Sequence, residues 1–317
     1  MNNAKKSWTG INTILSRQGK SKASDIFLNS NGNLFTDQKT VSKMFNNYYI
    51  NVAGNLEKNP KPKTKFQDYL KNPNEHSIYL KETTPAEVNK LTCGLDANKA
   101  PDLYGISAKI VKLGGYVMDS VISHLFNMSI EYGQFPSFLQ NAKVIPCHKD
   151  DSRLEMSNYR PISLLPTISK IFEKLMYARL IEFINKHNIL YKYQFGFQSG
   201  MSTEYAVNAL LHNIVNTLEN KEYGVCILLD FAKAFDTVNH EILLKKLDHY
   251  GMRGVAQQWF RSYLTNRMQC TEVGDSQSEL EIIRWGVPQG SILGPLLFIM
   301  YINDLPNASA FLAYIQG

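Results

Sequence analysis

GVCILLDFAKAFDTV, Gly224 to Val238, is the stretch on which the reading of this chain turns. It begins as an unbroken apolar run, Val225 to Leu229, bounded by Gly224. A run this short with no polar alternation predicts a strand buried on both faces. The run stops at Asp230, which puts a carboxylate at the tip of a buried strand. That placement is costly unless a metal, a basic partner or a set of hydrogen-bond donors compensates it. Alone, the pattern also fits an Asp that caps a helix or joins a salt bridge.

A second stretch, GVPQGSILGPLLFIMYINDLP, Gly286 to Pro306, narrows the choice. Gly286, Pro288 and Gly290 make a tight loop that presents Gln289 between small residues. Ser291 stands where a helix N-cap belongs, and the apolar run Ile292 to Ile302 predicts a buried helix with Pro295 tolerated in its first turn. Such a loop lets backbone approach a flat or phosphate-bearing ligand closely.

The two stretches, in this order and about fifty residues apart, resemble the palm of reverse transcriptases, in particular those of non-long-terminal-repeat retrotransposons of the jockey-like kind. The resemblance extends over about residues 80–306. It implies that Asp230 is the first catalytic aspartate, that Phe235 lies under the incoming sugar, and that Gln289 and Gly290 contact nucleotide and template. It implies two Mg2+ ions with oxygen ligands, among them Asp230 and the backbone carbonyl of Phe231, and as partners an RNA template, a DNA primer and a dNTP. The implied fold is α+β: right-hand polymerase fingers and a partial palm, with a mainly antiparallel palm sheet backed by helices. The family's further Asp-Asp pair follows the YINDLP segment. Here that segment leads to NASAFLAYIQG, ending at Gly317, so the expectation is a fragment without that pair, without a thumb and with little or no polymerase activity. As metal ligands Asp236 and Asp304 are weaker candidates: Asp236 fits a cap or salt bridge of the following helix, and Asp304, which matches a residue of the family's loop, sits at the far end of a helix from the site.

Outward from these motifs, Asn158 to Leu180 (NYRPISLLPTISKIFEKLMYARL) places Arg160 in extended backbone before Pro161 and then predicts a helix from Ile168. It resembles the fingers, where the arginine holds the triphosphate; a permanently charged fork suits phosphate oxygens. A surface salt bridge is the plain alternative. In Gln194 to Val207, glycines flank Phe195 and Phe197 in a turn, and Ser202 or Thr203 caps a helix reaching about Glu219. The phenylalanines fit either a packed core or a base-stacking platform. The family tends to carry arginine where Gln198 stands, and an acidic residue where Tyr104 precedes Gly105.

The remaining elements read from local signals. Asp37 caps a helix through Val41, Phe45, Tyr49 and Val52. Thr84-Pro85-Ala86-Glu87 opens another. A helix is predicted over about 117–132, a strand over 142–148, a helix over 239–250, a helix through Trp259, Phe260 and Leu264, and a hairpin around Gly274-Asp275. A short helix is expected around Trp8, Ile11, Ile14 and Leu15. Three regions follow: a basic extension and linker over 1–76, fingers over 77–220, and partial palm over 221–317.

Bulk properties set the outer limits. The chain has 317 residues, 44% hydrophobic and 20% charged, with a net charge of +6. Twelve Lys and Arg against four Asp and Glu fall in residues 1–71, so the excess charge is concentrated there. A basic leading segment fits a polyanionic partner, or else a solvated tail. Four scattered cysteines make no metal pair and fit a reduced intracellular setting, nucleus or cytoplasm left open. No apolar run is long enough to span a bilayer, so no membrane partner is expected. Two other functions compete with the polymerase: a non-catalytic nucleic-acid-binding remnant of a retroelement, and a phosphotransfer enzyme using Asp230 as acceptor. The second leaves the Pro-Gln-Gly loop without a role.

Overall fold

A computed structural model describes residues 26–30, 32–56, 64–149, 151–308 and 315. The expected helix around Trp8 to Leu15 and the expected strand at 310–314 lie outside the described residues, as do Lys58, Lys61 and Lys63 of the basic linker.

Local capping chemistry sets most helix starts. Helix α1, Gln38–Leu56, begins where the Asp37 carboxylate accepts from the Thr40 amide at 2.8 Å. Thr84 caps α2, Pro85–Cys93, and Ser107 caps α3, Ala108–Leu113. Helix α4 covers Gly115–Glu131 and α5 covers Thr167–Lys186. Ser202 caps α6, Thr203–Glu219, and Asn239 caps α7, His240–His249. Each cap supplies an acceptor to a first-turn amide that has no intrahelical partner. Helices α8, Val255–Leu264, and α9, Leu293–Tyr301, complete the set described.

After a small hairpin of β1, Leu28–Ser30, and β2, Asn33–Phe35, the strands gather into one mixed sheet. Strand β3, Ala142–His148, pairs antiparallel with β4, Tyr159–Leu164, in register Val144 with Ser163 and Cys147 with Arg160. On its other side β3 runs parallel to β5, Met268–Val273. Strands β6, Ser276–Gln277, and β7, Glu281–Ile282, both fold back antiparallel on β5. The fold is therefore α+β as expected, with a mixed sheet that is mainly antiparallel and has one parallel pair, β3 with β5.

Helix α1 packs on β5 and anchors there through a buried amide. The Asn46 carbonyl oxygen accepts from Gln269 Nε2 and Thr271 Oγ1, both at 3.2 Å, and its amide group donates to the Glu279 carbonyl. The main core lies among α2, α4, α5, α7, α8 and α9. At its centre Trp259 stacks on Tyr263, takes Phe135 edge-on and donates its indole N–H to Ser129 Oγ at 2.8 Å. Arg179 ties the strap before α2 to α5: it donates to the carbonyls of Lys81 and Glu82 and forks onto Glu87.

One expectation is overturned. Residues 222–231 are not a buried strand: they carry no regular secondary structure and their apolar side chains are exposed, Val225 and Leu228 each to 88%. The physical reason is the absence of neighbours. A strand buried on both faces needs paired strands at its sides and packed layers above and below. Among the described residues none of β3 to β7 pairs with this run. Helix α6 is exposed in a similar way, with only Ala206 buried.

The centre of the core gives a direct check on this packing. Replacing Trp259 with Ala should cost about 3–5 kcal/mol, the usual penalty for deleting a fully buried aromatic, and a urea titration followed by circular dichroism would measure it.

Candidate active site

The Pro-Gln-Gly loop is held by backbone bonds to widely separated parts of the chain. Entering it, the Ile283 amide donates to the Arg267 carbonyl at 2.9 Å. The Gly286 and Val287 amides donate to the carbonyls of Val238 and Phe235, both at 2.8 Å. The Ser163 amide of β4 donates to the Gln289 carbonyl at 2.8 Å. Leaving it, the Ile292 and Leu293 amides donate to one carboxylate oxygen of Glu173, at 2.5 and 3.4 Å. The N-cap of α9 is Ile292, one residue after the Ser291 expected there, but the Ser291 hydroxyl still accepts from the first-turn Gly294 amide at 2.9 Å and donates to the Pro288 carbonyl.

Two glycines make this approach possible. Gly286 and Gly290 have φ of +83° and +117°. A Cβ at Gly290 would stand 2.8 Å from the Ser163 carbonyl oxygen, and one at Gly286 would stand 2.7 Å from that of Phe235. Both positions combine a backbone conformation that L side chains rarely adopt with no room for one.

The loop brings two of the sequence motifs into contact. Gln289 Nε2 donates to both carboxylate oxygens of Asp236, each at 3.0 Å. Asp236 is therefore neither a helix cap nor a salt-bridge partner, but the acceptor that orients Gln289. Burial raises its pKa, while the Gln289 bond and nearby Lys233 pull the other way. Phe235 stacks on Phe298 of α9 at 5.1 Å and meets Phe197 edge-on at 5.7 Å. Phe197 thus joins the aromatic wall of this site, while Phe195 is buried. His240 fixes the loop entrance by donating from Nε2 to the Gly286 carbonyl at 2.7 Å, and burial lowers its pKa.

Behind the loop is a cavity of about 40 Å³, walled by residues that include Tyr49, Ser163, Asp236, Arg267 and Gln289. Arg267 is 2% exposed. Its Nη1 donates to the Tyr263 carbonyl at 3.1 Å, and its guanidinium lies over the Tyr263 ring. Its Nε and Nη2 reach no protein acceptor among the described residues.

The other candidates are less tightly placed. Arg160 is exposed on β4, while its neighbour Pro161 and Ser163 line the cavity; strand alternation sends Arg160 to the opposite face. Asp230 is exposed in the irregular segment and makes no side-chain hydrogen bond or ion pair among the described residues. Phe231 beside it is 46% exposed. Asp304 is committed elsewhere, in a buried ion pair with Lys246. No group of three His, Cys, Asp or Glu side chains able to hold a metal occurs among the described residues. Asp230 and the Phe231 carbonyl therefore do not by themselves make a two-magnesium site.

Gln198 and Tyr104 have local roles. Gln198 Nε2 donates to the Gln194 carbonyl at 2.6 Å. The Tyr104 hydroxyl donates to the Phe138 carbonyl and accepts from Asn141, both at 2.8 Å. Asp102, two residues earlier, holds that loop by accepting from the amides of Tyr104, Ile106 and Thr167. Sequence reading passed over Glu173, Arg267 and His240. No fixed spacing marks them: Glu173, for example, stands beside Lys174 in a helix that also carries Lys170.

Comparison with known proteins identifies the family. Residues 147–310 match the family described as reverse transcriptase (RNA-dependent DNA polymerase). The chain is 31% identical over 251 residues to the probable RNA-directed DNA polymerase from transposon BS of Drosophila melanogaster, a match covering 77% of this chain and 27% of that protein. It is 32% identical over 245 residues to the RNA-directed DNA polymerase from mobile element jockey of the same organism, covering 76% of this chain and 26% of the relative. A type-1 retrotransposable element R2 polyprotein of Popillia japonica is 29% identical over 160 residues, covering 50% and 22%. The chain belongs to the reverse transcriptase family, in its non-long-terminal-repeat retrotransposon branch. It spans about a quarter of the length of the first two relatives. No helix among the described residues is long and apolar enough to cross a membrane.

Two substitutions probe the loop. Gly290→Ala should lower stability by about 1–3 kcal/mol through a strained backbone, measured by denaturant titration. For Asp236, a folded pKa above 3.8 means the native state holds a proton that the unfolded state has released. Its contribution to stability therefore falls as pH rises from 3.8 through the folded value. Asp236→Asn should flatten that part of the stability profile relative to wild type, as read from melting temperatures across pH 3.5 to about 7.

Proposed function

We propose that this chain is the nucleotide- and template-binding part of an RNA-directed DNA polymerase. Its substrates are an RNA template, a DNA primer and a dNTP. Residues 77–220 serve as the fingers and 221–317 as part of the palm, after a basic extension over 1–76. The observation that carries this reading is the contact between the two motifs: the Pro-Gln-Gly loop lies on the Phe235-Asp236 turn, with Gln289 oriented by Asp236.

In this reading each group has a positional task. Phe235, backed by Phe298, offers a flat apolar floor to a sugar. Gln289, its amide nitrogen held by Asp236, keeps its carbonyl oxygen for a polar group of substrate. Gly290, lacking a side chain, lets the loop lie against Ser163 of β4 and so sets the backbone that template would meet. Arg160, exposed on β4, is the charge for phosphate oxygens. Asp230, with the Phe231 carbonyl, is the first ligand of a Mg2+ site that requires further carboxylates; magnesium there would polarise the phosphoryl group and lower the pKa of the attacking hydroxyl. With a single carboxylate free for that purpose among the described residues, the chain by itself binds nucleic acid and extends a primer little or not at all.

A primer-extension assay on an RNA template with Mg2+ separates the outcomes. We expect template–primer binding that weakens steeply with salt and extension at background. Robust extension abolished by Asp230→Ala would overturn the inactivity, while loss of all hybrid binding at low salt would overturn the polymerase assignment.

A further inference from the structure

The cavity behind the Pro-Gln-Gly loop is bordered by buried donors for which the described residues supply no acceptor. Arg267, one residue before β5, is 2% exposed, and its Nε and Nη2 make no hydrogen bond there. Tyr49 of α1 lines the same cavity, and its buried hydroxyl is unpartnered too. Burial pushes the Tyr49 hydroxyl up in pKa, so it keeps its proton and donates. Two elements thus bring a guanidinium and a phenol to one space.

Charge points the same way. A guanidinium stays ionised, and a buried ion without a counterpart is costly. None of the ion pairs among the described residues includes Arg267. The Tyr263 ring and carbonyl that it meets are dipoles, not a countercharge. Asp236 also borders the cavity, but both of its oxygens take Gln289 Nε2. Glu173 gives one oxygen to the Ile292 and Leu293 amides and the other to Ser169 Oγ. Size then limits the ligand. The cavity is about 40 Å³, where about 10–15 Å³ takes one water-sized body and small-molecule pockets run to roughly 300–1,000 Å³. A halide fits; a nucleotide does not.

We propose that Arg267 and Tyr49 bind a small monovalent anion of halide size in the cavity behind Gln289. The anion accepts from Arg267 Nε and Nη2 and from the Tyr49 hydroxyl, offsets the buried charge, and pins α1 to the start of β5. The site stands independently of the polymerase reading, since neither donor is assigned a contact with nucleotide or template.

Urea titrations of the full chain test it, with sodium bromide replacing sodium gluconate at constant ionic strength. Past half-saturation, the wild-type folding constant should rise about tenfold for each tenfold rise in bromide. R267M should abolish that dependence. Y49F should raise the half-saturating bromide concentration by about tenfold, the usual weight of one hydrogen bond to an ion. D236N, which removes a like charge from the cavity wall, should lower it by about threefold. General salt effects on stability act on wild type and variants alike, so the differences between them report the site. A wild-type profile flat in bromide, or one that Y49F leaves unchanged, overturns the proposal: the donors then face water alone. If R267M yields no folded protein, Y49F and D236N must still shift half-saturation in opposite directions. Loss of the bromide effect in D236N points instead to a water-bridged pair of Arg267 with Asp236, and also overturns it. A final arm repeats the wild-type series with saturating dTTP. An unchanged bromide increment supports a free-anion site, whereas its cancellation gives the donors to a substrate phosphate and sinks the assignment.

Discussion

Everything at this site depends on backbone hydrogen bonds between a loop and segments that are remote from it in sequence. The amide of Ser163 on β4, the carbonyls of Phe235 and Val238 in the turn before α7, and the carboxylate of Glu173 on α5 all converge on residues 286–293. Each is a directional bond with little tolerance for displacement. Together they fix the backbone in a conformation that only glycine accepts at positions 286 and 290. The side chains presented there owe their placement to that frame rather than to their own neighbours.

The frame also explains which parts of the fold were legible in the sequence. Helix starts were legible because a cap is a contact over three residues: Asp37, Thr84, Ser202 and Asn239 each accept from an amide within their own first turn. Strand β3 and the hairpin at Gly274-Asp275 carried equally local signals. The run Val225 to Leu229 misled because an apolar pattern states what a segment tends to exclude, not what lies beside it. Its exposure is decided by strands remote in sequence, and none among the described residues pairs with it. The parallel pairing of β3 with β5 was illegible for the same reason.

The site divides along the same line. Phe235, Gln289 and Gly290 were singled out by motif order, and the structure sets Gln289 on the turn that carries Phe235. The partners that hold them, Asp236 as acceptor, His240 at the loop entrance and Glu173 at its exit, have no motif of their own. Their roles come from three-dimensional contacts that a single sequence does not encode in any fixed spacing. Asp230 and Arg160 remain on the exposed side of the frame.

The parallel strand pair has a consequence for how the chain assembles as it is made. Ala142 and Cys270 meet across a sequence separation of 128 residues. Strands β3 and β4 form a local hairpin and can pair as soon as both have left the ribosome. The far edge of β3 then stays open until β5 has been synthesised, a wait of about 6–25 s at ordinary elongation rates. During that interval an unpaired edge is available to other chains, and helix α1, made much earlier, has no β5 to pack on. The order of synthesis thus makes this sheet a late-closing one, and the nascent chain is most open to misassociation just before Met268 emerges.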